Sequence, residues 1–145
     1  MTPRQVEIIR ASWTSVEPIA DVAATLFYDR LFEQDPAIRR MFRGTDMAAQ
    51  KKNLMQTLTV VVKSLDRLEQ LVPAVQALGR RHGGYGVKPV HYDMVGGALL
   101  WTLEQGLGDA FTPELRAAWG EAYSVLAKVM IDAAEAAERE EGVAA

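Results

Sequence analysis

The apolar residues of this chain recur at intervals of three and four along almost its whole length, and this spacing most restricts its fold. Val6, Ile9, Trp13 and Val16 show it in the first segment. Residues three and four apart share one face of an α-helix, so each such segment predicts an amphipathic helix. No segment shows the sustained alternation of a half-buried strand or an Asn-Gly or Asp-Gly hairpin signal. The sequence therefore predicts an all-α fold of seven or eight helices.

Capping residues and prolines divide this pattern into separate helices. Thr2-Pro3, Asp35-Pro36 and Thr112-Pro113 each place a capping oxygen directly before a proline, a typical helix start. Asp46 is expected to cap a long helix in the same way. Residues 136–145 are polar and small and are expected to fray. Each predicted helix has a set of apolar residues expected to be buried. The helix from about Pro18 to Gln34 buries Val22, Ala23, Leu26, Phe27 and Leu31, the long helix buries Leu54, Leu58, Val61, Val62 and Leu65, and the helix ending at His82 buries Val75 and Leu78. The helix entered at Pro89 and His91 buries Tyr92, Val95, Leu99 and Leu103, and the last helix buries Leu115, Trp119, Ala122, Leu126, Val129 and Ala133.

Length and composition limit the class of protein. The 145 residues, 49% hydrophobic and 24% charged, predict a single soluble domain over residues 1–145. A net charge of −3 without a basic stripe argues against a nucleic-acid partner. The absence of cysteine excludes disulfides, thiolate metal sites and thiol nucleophiles. No signal peptide or membrane-length apolar run is present, so we expect a cytoplasmic protein.

The motifs of self-contained enzymes are missing. The sequence contains no GxSxG, P-loop, GxGxxG after a strand, or HExxH. His82 and His91 are nine residues apart across a glycine-rich turn, which is poor spacing for a zinc pair on one helix. A hydrolase is therefore not expected.

His82 occupies an unusual position. Val75 and Leu78 precede it by seven and four residues and share its helical face, and glycines follow it directly. A lone histidine on an apolar face is more often a hydrogen-bonded core residue than a ligand. Presented into an apolar space, however, the imidazole could also bind one face of a metal already held elsewhere, such as haem iron.

Three other residues could each have either a role in ligand binding or an ordinary structural role. Tyr28 and Gln50 are hydrogen-bond donors on otherwise apolar faces, where burial without a partner would cost about 1–3 kcal/mol each. A bound diatomic ligand with partial negative charge would offset that cost, but so would a backbone hydrogen bond or an exposed edge position. Phe42, in a short corner, could stack on the edge of a planar cofactor or simply pack in the core.

In this order these residues resemble the globin family, specifically bacterial single-domain haemoglobins related to the globin part of flavohaemoglobins. The resemblance covers nearly the whole chain. It is carried by Leu26-Phe27-Tyr28-Asp29-Arg30-Leu31-Phe32, Arg40-Met41-Phe42, Gln50 with Leu54, Gly79-Arg80-Arg81-His82 with Tyr85-Gly86-Val87, His91-Tyr92-Asp93-Met94-Val95-Gly96, and Ala118-Trp119-Gly120-Glu121-Ala122-Tyr123.

The resemblance implies a three-over-three helical sandwich around haem b. It assigns roles as follows: His82 is the proximal iron ligand, Phe42 packs on the ring, Tyr28, Gln50 and Leu54 form the distal pocket, Val87 and Tyr92 pack on the proximal side, and Arg81, with Arg80, meets the haem propionates.

One position departs from the family pattern. Flavohaemoglobin-like globins hydrogen-bond the proximal histidine to a glutamate on the last helix, which pushes electron density onto the iron. Counting from Trp119 and Tyr123, that position falls on Ala134, and Glu135 comes one residue late. One residue rotates a side chain by about 100° around a helix, so Glu135 is expected to face elsewhere. His82 is then expected to donate to the Leu78 carbonyl instead.

The expected function is reversible binding of oxygen for capture, storage or delivery, with carbon monoxide and nitric oxide as further gas ligands. The main alternative is a nitric oxide dioxygenase that depends on a separate reductase, because no flavin or nicotinamide motif occurs in these residues. A haem-based sensor or a partner-binding module is a third class. The sequence leaves the oligomeric state open.

Overall fold

The computed structural model describes residues 1–144, and this part of the chain forms seven α-helices with short 3₁₀ turns and no strand. The helices are α1 (Pro3–Val16), α2 (Ala20–Gln34), α3 (Pro36–Met41), α4 (Met47–Lys63), α5 (Val72–Gly84), α6 (Pro89–Leu107) and α7 (Pro113–Ala144). The 3₁₀ turns are Glu17–Ile19, Leu65–Gln70 and Gly108–Ala110. The predicted all-α class is confirmed.

The predicted helix starts are present as hydrogen bonds. The Thr2 hydroxyl accepts from the Gln5 N–H at 3.1 Å, and the Gln5 side chain accepts from the Thr2 N–H at 2.8 Å, completing a capping box. The carboxylates of Asp35 and Asp46 accept from the first amides of α3 and α4. Thr112 caps α7 in the same way, with its hydroxyl 3.2 Å from the amide nitrogen of Leu115.

The helices pack in two layers of three. One layer holds α1, α4 and α5, the other holds α2, α6 and α7, and α3 links α2 to the corner before α4. Between the layers lie fully buried Ile9, Leu31 and Leu103 and the Trp13–Trp119 pair, whose ring centroids are 5.9 Å apart. None of the described helices combines the length and apolar character needed to cross a membrane. The arrangement is a three-over-three helical sandwich.

Two predicted details are wrong in the second helix. The α-helix begins at Ala20 rather than Pro18, because residues 17–19 form a 3₁₀ turn. Val22 was expected in the core, yet 57% of its surface is exposed. The buried stripe of α2 is centred on Ala23, Ala24 and Phe27, which turns Val22 toward solvent.

Two further boundaries differ. Leu65 is buried as expected, but α4 ends at Lys63, so Leu65 lies in the following 3₁₀ turn. The expected fraying of residues 136–145 is wrong as far as Ala144, since α7 continues to that residue. Alanine and glutamate dominate this stretch, and both have high helix propensity. Residue 145 lies outside the described part.

Candidate functional site

The ring of His82 is fixed in one tautomer. His82 is half-buried in the last turn of α5, and its Nδ1 lies 2.8 Å from the Leu78 carbonyl oxygen. A carbonyl only accepts, so Nδ1 carries the proton, and the predicted hydrogen bond is present. Burial of the ring lowers the pKa of His82 below its ordinary value of 6.5, and the charge of Arg81 lowers it further. The neutral ring therefore keeps a lone pair on Nε2, which has no hydrogen-bond partner within residues 1–141.

The helix that carries His82 is pressed against α7. Gly79 is buried, and a β-carbon there would lie only 2.5 Å from the Cα of Met130. One turn later, a β-carbon at Gly83 would lie 3.0 Å from the β-carbon of Ala134. Ala134 thus faces α5, whereas Glu135 is exposed. The expectation that Glu135 turns away from His82 is confirmed.

Tyr28 and Gln50 form a buried polar pair. Tyr28 of α2 is 3% exposed, and its hydroxyl oxygen accepts a hydrogen bond from Nε2 of Gln50 on α4 at 3.0 Å. The hydroxyl proton of Tyr28 therefore remains free to be donated to another acceptor. Burial raises the pKa of Tyr28 above its ordinary value of 10.0, so the phenol stays protonated. Tyr28 therefore does not occupy an exposed edge position, and Gln50 is half-buried.

An aromatic cluster surrounds this pair. Phe42 caps the end of α3 and packs edge-on against Tyr28, with ring centroids 5.6 Å apart. Phe32 lies 5.4 Å from Phe42 and 5.9 Å from Tyr28. Sequence reasoning missed Phe32, although its position four residues after Tyr28 places both on one helical face. The three rings form a continuous apolar wall beside the Tyr28 hydroxyl.

The helices α4 and α5 stand apart within the described fold. α4 packs on α1 and α2, whereas α5 packs chiefly on α7, and the two make at most marginal contact with each other. Large apolar side chains of both helices remain only half-buried, including Leu54 and Leu58 on α4 and Leu78 on α5. We refer to the space between these two helices as the cleft; Gln50 lies on the helix on one side of it and His82 on the helix on the other.

The remaining predicted site residues lie around the end of α5. Val87 is half-buried, and its N–H donates to the His82 carbonyl at 3.1 Å. Tyr92 is buried at the start of α6, and its hydroxyl has no hydrogen-bond partner among the described residues. Arg81 is exposed next to His82 and forms no ion pair with a described carboxylate. The predicted site residues therefore divide into a group on α2 to α4 (Tyr28, Phe42, Gln50 and Leu54) and a group on α5, α6 and the turn between them (Arg81, His82, Val87 and Tyr92).

Comparison with known proteins identifies the fold. The globin family model matches residues 25–130. A flavohemoprotein of Bacillus subtilis is 32% identical over 96% of this chain, and a flavohemoprotein of Vibrio cholerae is 31% identical over 91%. Neuroglobin of Tetraodon nigroviridis is 32% identical over 90% of both chains. The structure of a bacterial globin from Campylobacter jejuni superposes with a TM-score of 0.83 at 26% identity, covering 95% of this chain and 99% of that one.

The chain spans only about a third of the length of the flavohemoproteins, 36% for the Bacillus subtilis protein, but nearly all of the neuroglobin and of the Campylobacter jejuni globin. The similarity is thus to one part of the longer flavohemoproteins and to almost the whole of the two shorter globins. The family model covers most of α2 to α7 and includes both sides of the cleft. The chain belongs to the globin family, whose members hold haem and bind diatomic gases.

Proposed function

We propose that this chain holds haem b in the cleft between α4 and α5, with Nε2 of His82 as the iron ligand, and that it binds oxygen reversibly. The observation that carries the proposal is the hydrogen bond from Nδ1 of His82 to Leu78, which leaves the Nε2 lone pair available. The donor set fits haem, because one neutral imidazole among apolar walls suits a metal whose other ligands come from a macrocycle.

The remaining contacts to the cofactor follow from position. Phe42 and Leu54 would pack against the ring on the α4 side, and Val87 and Tyr92 on the His82 side. Exposed Arg81 would meet the propionates, since its guanidinium is free for a bidentate contact with a carboxylate. When bound, haem would supply an iron that takes a diatomic gas.

Tyr28 would donate its hydroxyl proton to the gas ligand. The side-chain N–H of Gln50 donates to the phenol oxygen of Tyr28 and so orients it, while the hydroxyl proton of Tyr28 points away from Gln50. A donor aimed at a ligand with partial negative charge favours oxygen over carbon monoxide and slows its release. These two residues support the proposal of tight oxygen binding.

Visible spectroscopy of the purified protein tests the haem assignment. We expect a Soret band that shifts between the reduced, oxygen-bound and carbon monoxide-bound forms. His82→Ala should lose the reduced spectrum of a histidine ligand and regain it when imidazole is added. His91→Ala is the matched control, because Nδ1 of His91 accepts from the Lys88 N–H at the start of α6. A folded protein that takes up no haem would contradict the proposal.

Nitric oxide dioxygenation is the second candidate, supported by the likeness to flavohemoproteins. The net reaction combines nitric oxide, oxygen and one electron to give nitrate, so turnover needs an electron donor, which we propose to be a separate flavin reductase. The carbonyl partner of His82 pushes less electron density onto the iron than a carboxylate would. We therefore expect one stoichiometric burst of nitrate without the reductase and slow turnover with it. No nitrate in the burst would exclude this activity.

Other expectations stay predictions. These are the single domain over residues 1–145, the cytoplasmic location and the absence of a nucleic-acid partner. A sensor or partner-binding role would require complex formation that changes with the gas ligand, which co-purification with and without carbon monoxide would measure.

A further inference from the structure

A cavity of about 420 Å³ opens at the corner formed by α2, α3 and α4. Its lining residues are Tyr28, Asp29, Phe32, Arg39, Arg40, Phe42, Arg43, Met47 and Lys51. No residue of α5 or α6 lines it, and neither does Gln50 or Leu54. Lys51 follows Gln50 by one residue and so points about 100° away around α4. The cavity therefore shares Tyr28 and Phe42 with the proposed haem site but none of its residues on α4, α5 or α6.

Positive charge is concentrated around this cavity. Arg39, Arg40, Arg43 and Lys51 face a single carboxylate, that of Asp29, in a chain whose overall charge is −3. None of the four cations forms an ion pair with a carboxylate of the described residues. A concave surface lined by one sign of charge focuses the field and concentrates ions of the opposite sign. The charges favour an anionic ligand with more than one negative charge.

The inner wall of the cavity is apolar. It consists of the ring cluster of Tyr28, Phe32 and Phe42, together with the half-buried side chain of Met47. Aromatic rings bind flat apolar groups through edge-to-face or offset contacts, and arginine planes also stack on such groups. A simple inorganic ion would leave this wall without a contact. The wall favours a ligand with a flat aromatic body.

We propose that this corner cavity binds a small aromatic phosphate, with the phosphate held by Arg43 and Lys51 and the ring against Phe32 and Phe42. The guanidinium fork of arginine matches two phosphate oxygens, and lysine adds a point charge. The volume falls within the range of about 300–1,000 Å³ that is typical of small-molecule sites. This binding does not depend on the proposed role in oxygen binding.

Isothermal titration calorimetry on the purified protein, with and without added haem, at low salt tests the proposal with four probes. Adenosine monophosphate and 1-naphthyl phosphate carry both an aromatic body and a phosphate, adenosine carries only the body, and inorganic phosphate only the charge. We expect one site for an aromatic phosphate, with both partial probes at least about 10-fold weaker because each lacks one set of contacts.

Each pattern of binding has a distinct meaning. Binding of 1-naphthyl phosphate without adenosine monophosphate would support the site and exclude nucleotides as its ligands. Inorganic phosphate that binds as tightly as both aromatic phosphates would overturn the proposal in favour of a plain ion site. Binding of neither aromatic phosphate would overturn it as well.

Substitutions locate the site. The double variant Arg43→Gln, Lys51→Gln should weaken binding of the aromatic phosphate at least about 10-fold, since two charge-assisted contacts are lost. Lys52→Gln is the matched control, because Lys52 is exposed one residue further along α4 and does not line the cavity. Circular dichroism would verify that both variants fold. Binding that persists in the double variant, or that occurs only in the haem-free protein, would overturn the proposal, the latter by assigning the probe to the haem cleft.

Discussion

The hydroxyl of Tyr123 on α7 donates a hydrogen bond to the main-chain carbonyl of Tyr92 on α6, with 2.5 Å between the oxygens. The ring packs directly on Gly96, where a β-carbon would lie 2.7 Å from Cε2 of Tyr123. Any larger residue at Gly96 would push the ring away from this carbonyl. Burial of the phenol raises the pKa of Tyr123 far above its ordinary value of 10.0.

This shift predicts a loss of stability in alkaline solution. The unfolded chain releases the Tyr123 proton near pH 10, whereas the folded protein keeps it, so the contribution is complete below pH 10 and declines above it. Each such group lowers the free energy of unfolding by about 1.4 kcal/mol per pH unit in that window. Tyr123→Phe should therefore show a flatter decline above pH 10 in urea unfolding. Tyr85→Phe is the matched control, because Tyr85 is 69% exposed and its hydroxyl makes no buried contact.

Replacement of the distal donor should speed oxygen release. Tyr28→Phe removes the hydroxyl proton that Tyr28 does not use in its contact with Gln50, which should raise the oxygen dissociation rate about 3- to 10-fold, the value of one hydrogen bond. Gln50→Leu should act through the same phenol, so the double variant should add little to Tyr28→Phe. Flash photolysis and stopped-flow mixing measure both rates. An unchanged rate in Tyr28→Phe would remove this residue from ligand binding.

Ala134→Glu should restore a carboxylate beside the histidine. Ala134 faces α5 at Gly83, so a glutamate there is expected to compete with the Leu78 carbonyl for the Nδ1 proton of His82. It would also offer an acceptor to the unpaired Tyr92 hydroxyl. We expect a higher iron–histidine stretching frequency in resonance Raman spectra and a lower reduction potential. The same two measurements on Glu135→Ala should match the parent protein, because Glu135 is exposed.

Alanine substitutions at two glycines of α5 test how tightly this helix packs against α7. Gly79→Ala would place a β-carbon against the backbone of Met130, and overpacking of this kind costs about 1–3 kcal/mol. Gly84→Ala would meet no neighbouring atom within 4 Å, and at the last residue of α5 it should change the stability by no more than about 0.5 kcal/mol. Chemical denaturation of both variants measures the difference. Equal stabilities would show that α5 can shift away from α7 at little cost.

The features that the sequence predicted correctly depend on interactions between residues close together in the chain. The capping oxygens at Thr2, Asp35 and Asp46 act within three residues of each helix start, and all three caps are present. The hydrogen bond from His82 to Leu78 also lies within one helical turn. The orientation of Ala134 follows from the fixed rotation per residue along a continuous helix. Each of these required no knowledge of the neighbouring helices.

The features that were missed depend on contacts between helices. Val22 fits the apolar stripe of α2 by spacing alone, but the layer beneath α2 contacts the side of the helix that carries Ala23 and Ala24. The Tyr28–Gln50 contact joins residues 22 positions apart. The cationic corner cavity needs three helices to close around it. None of these arrangements has a periodic signature in the sequence.

The close approach of Gly79 to Met130 has a mechanical consequence. With so little space between the two backbones, a displacement of α5 at Gly79 is expected to displace Met130 of α7 as well. At 1.5 Å per residue, the 32 residues of α7 extend over about 48 Å. Strain at His82 is therefore expected to reach α7 through two neighbouring contacts, Gly79 with Met130 and Gly83 with Ala134.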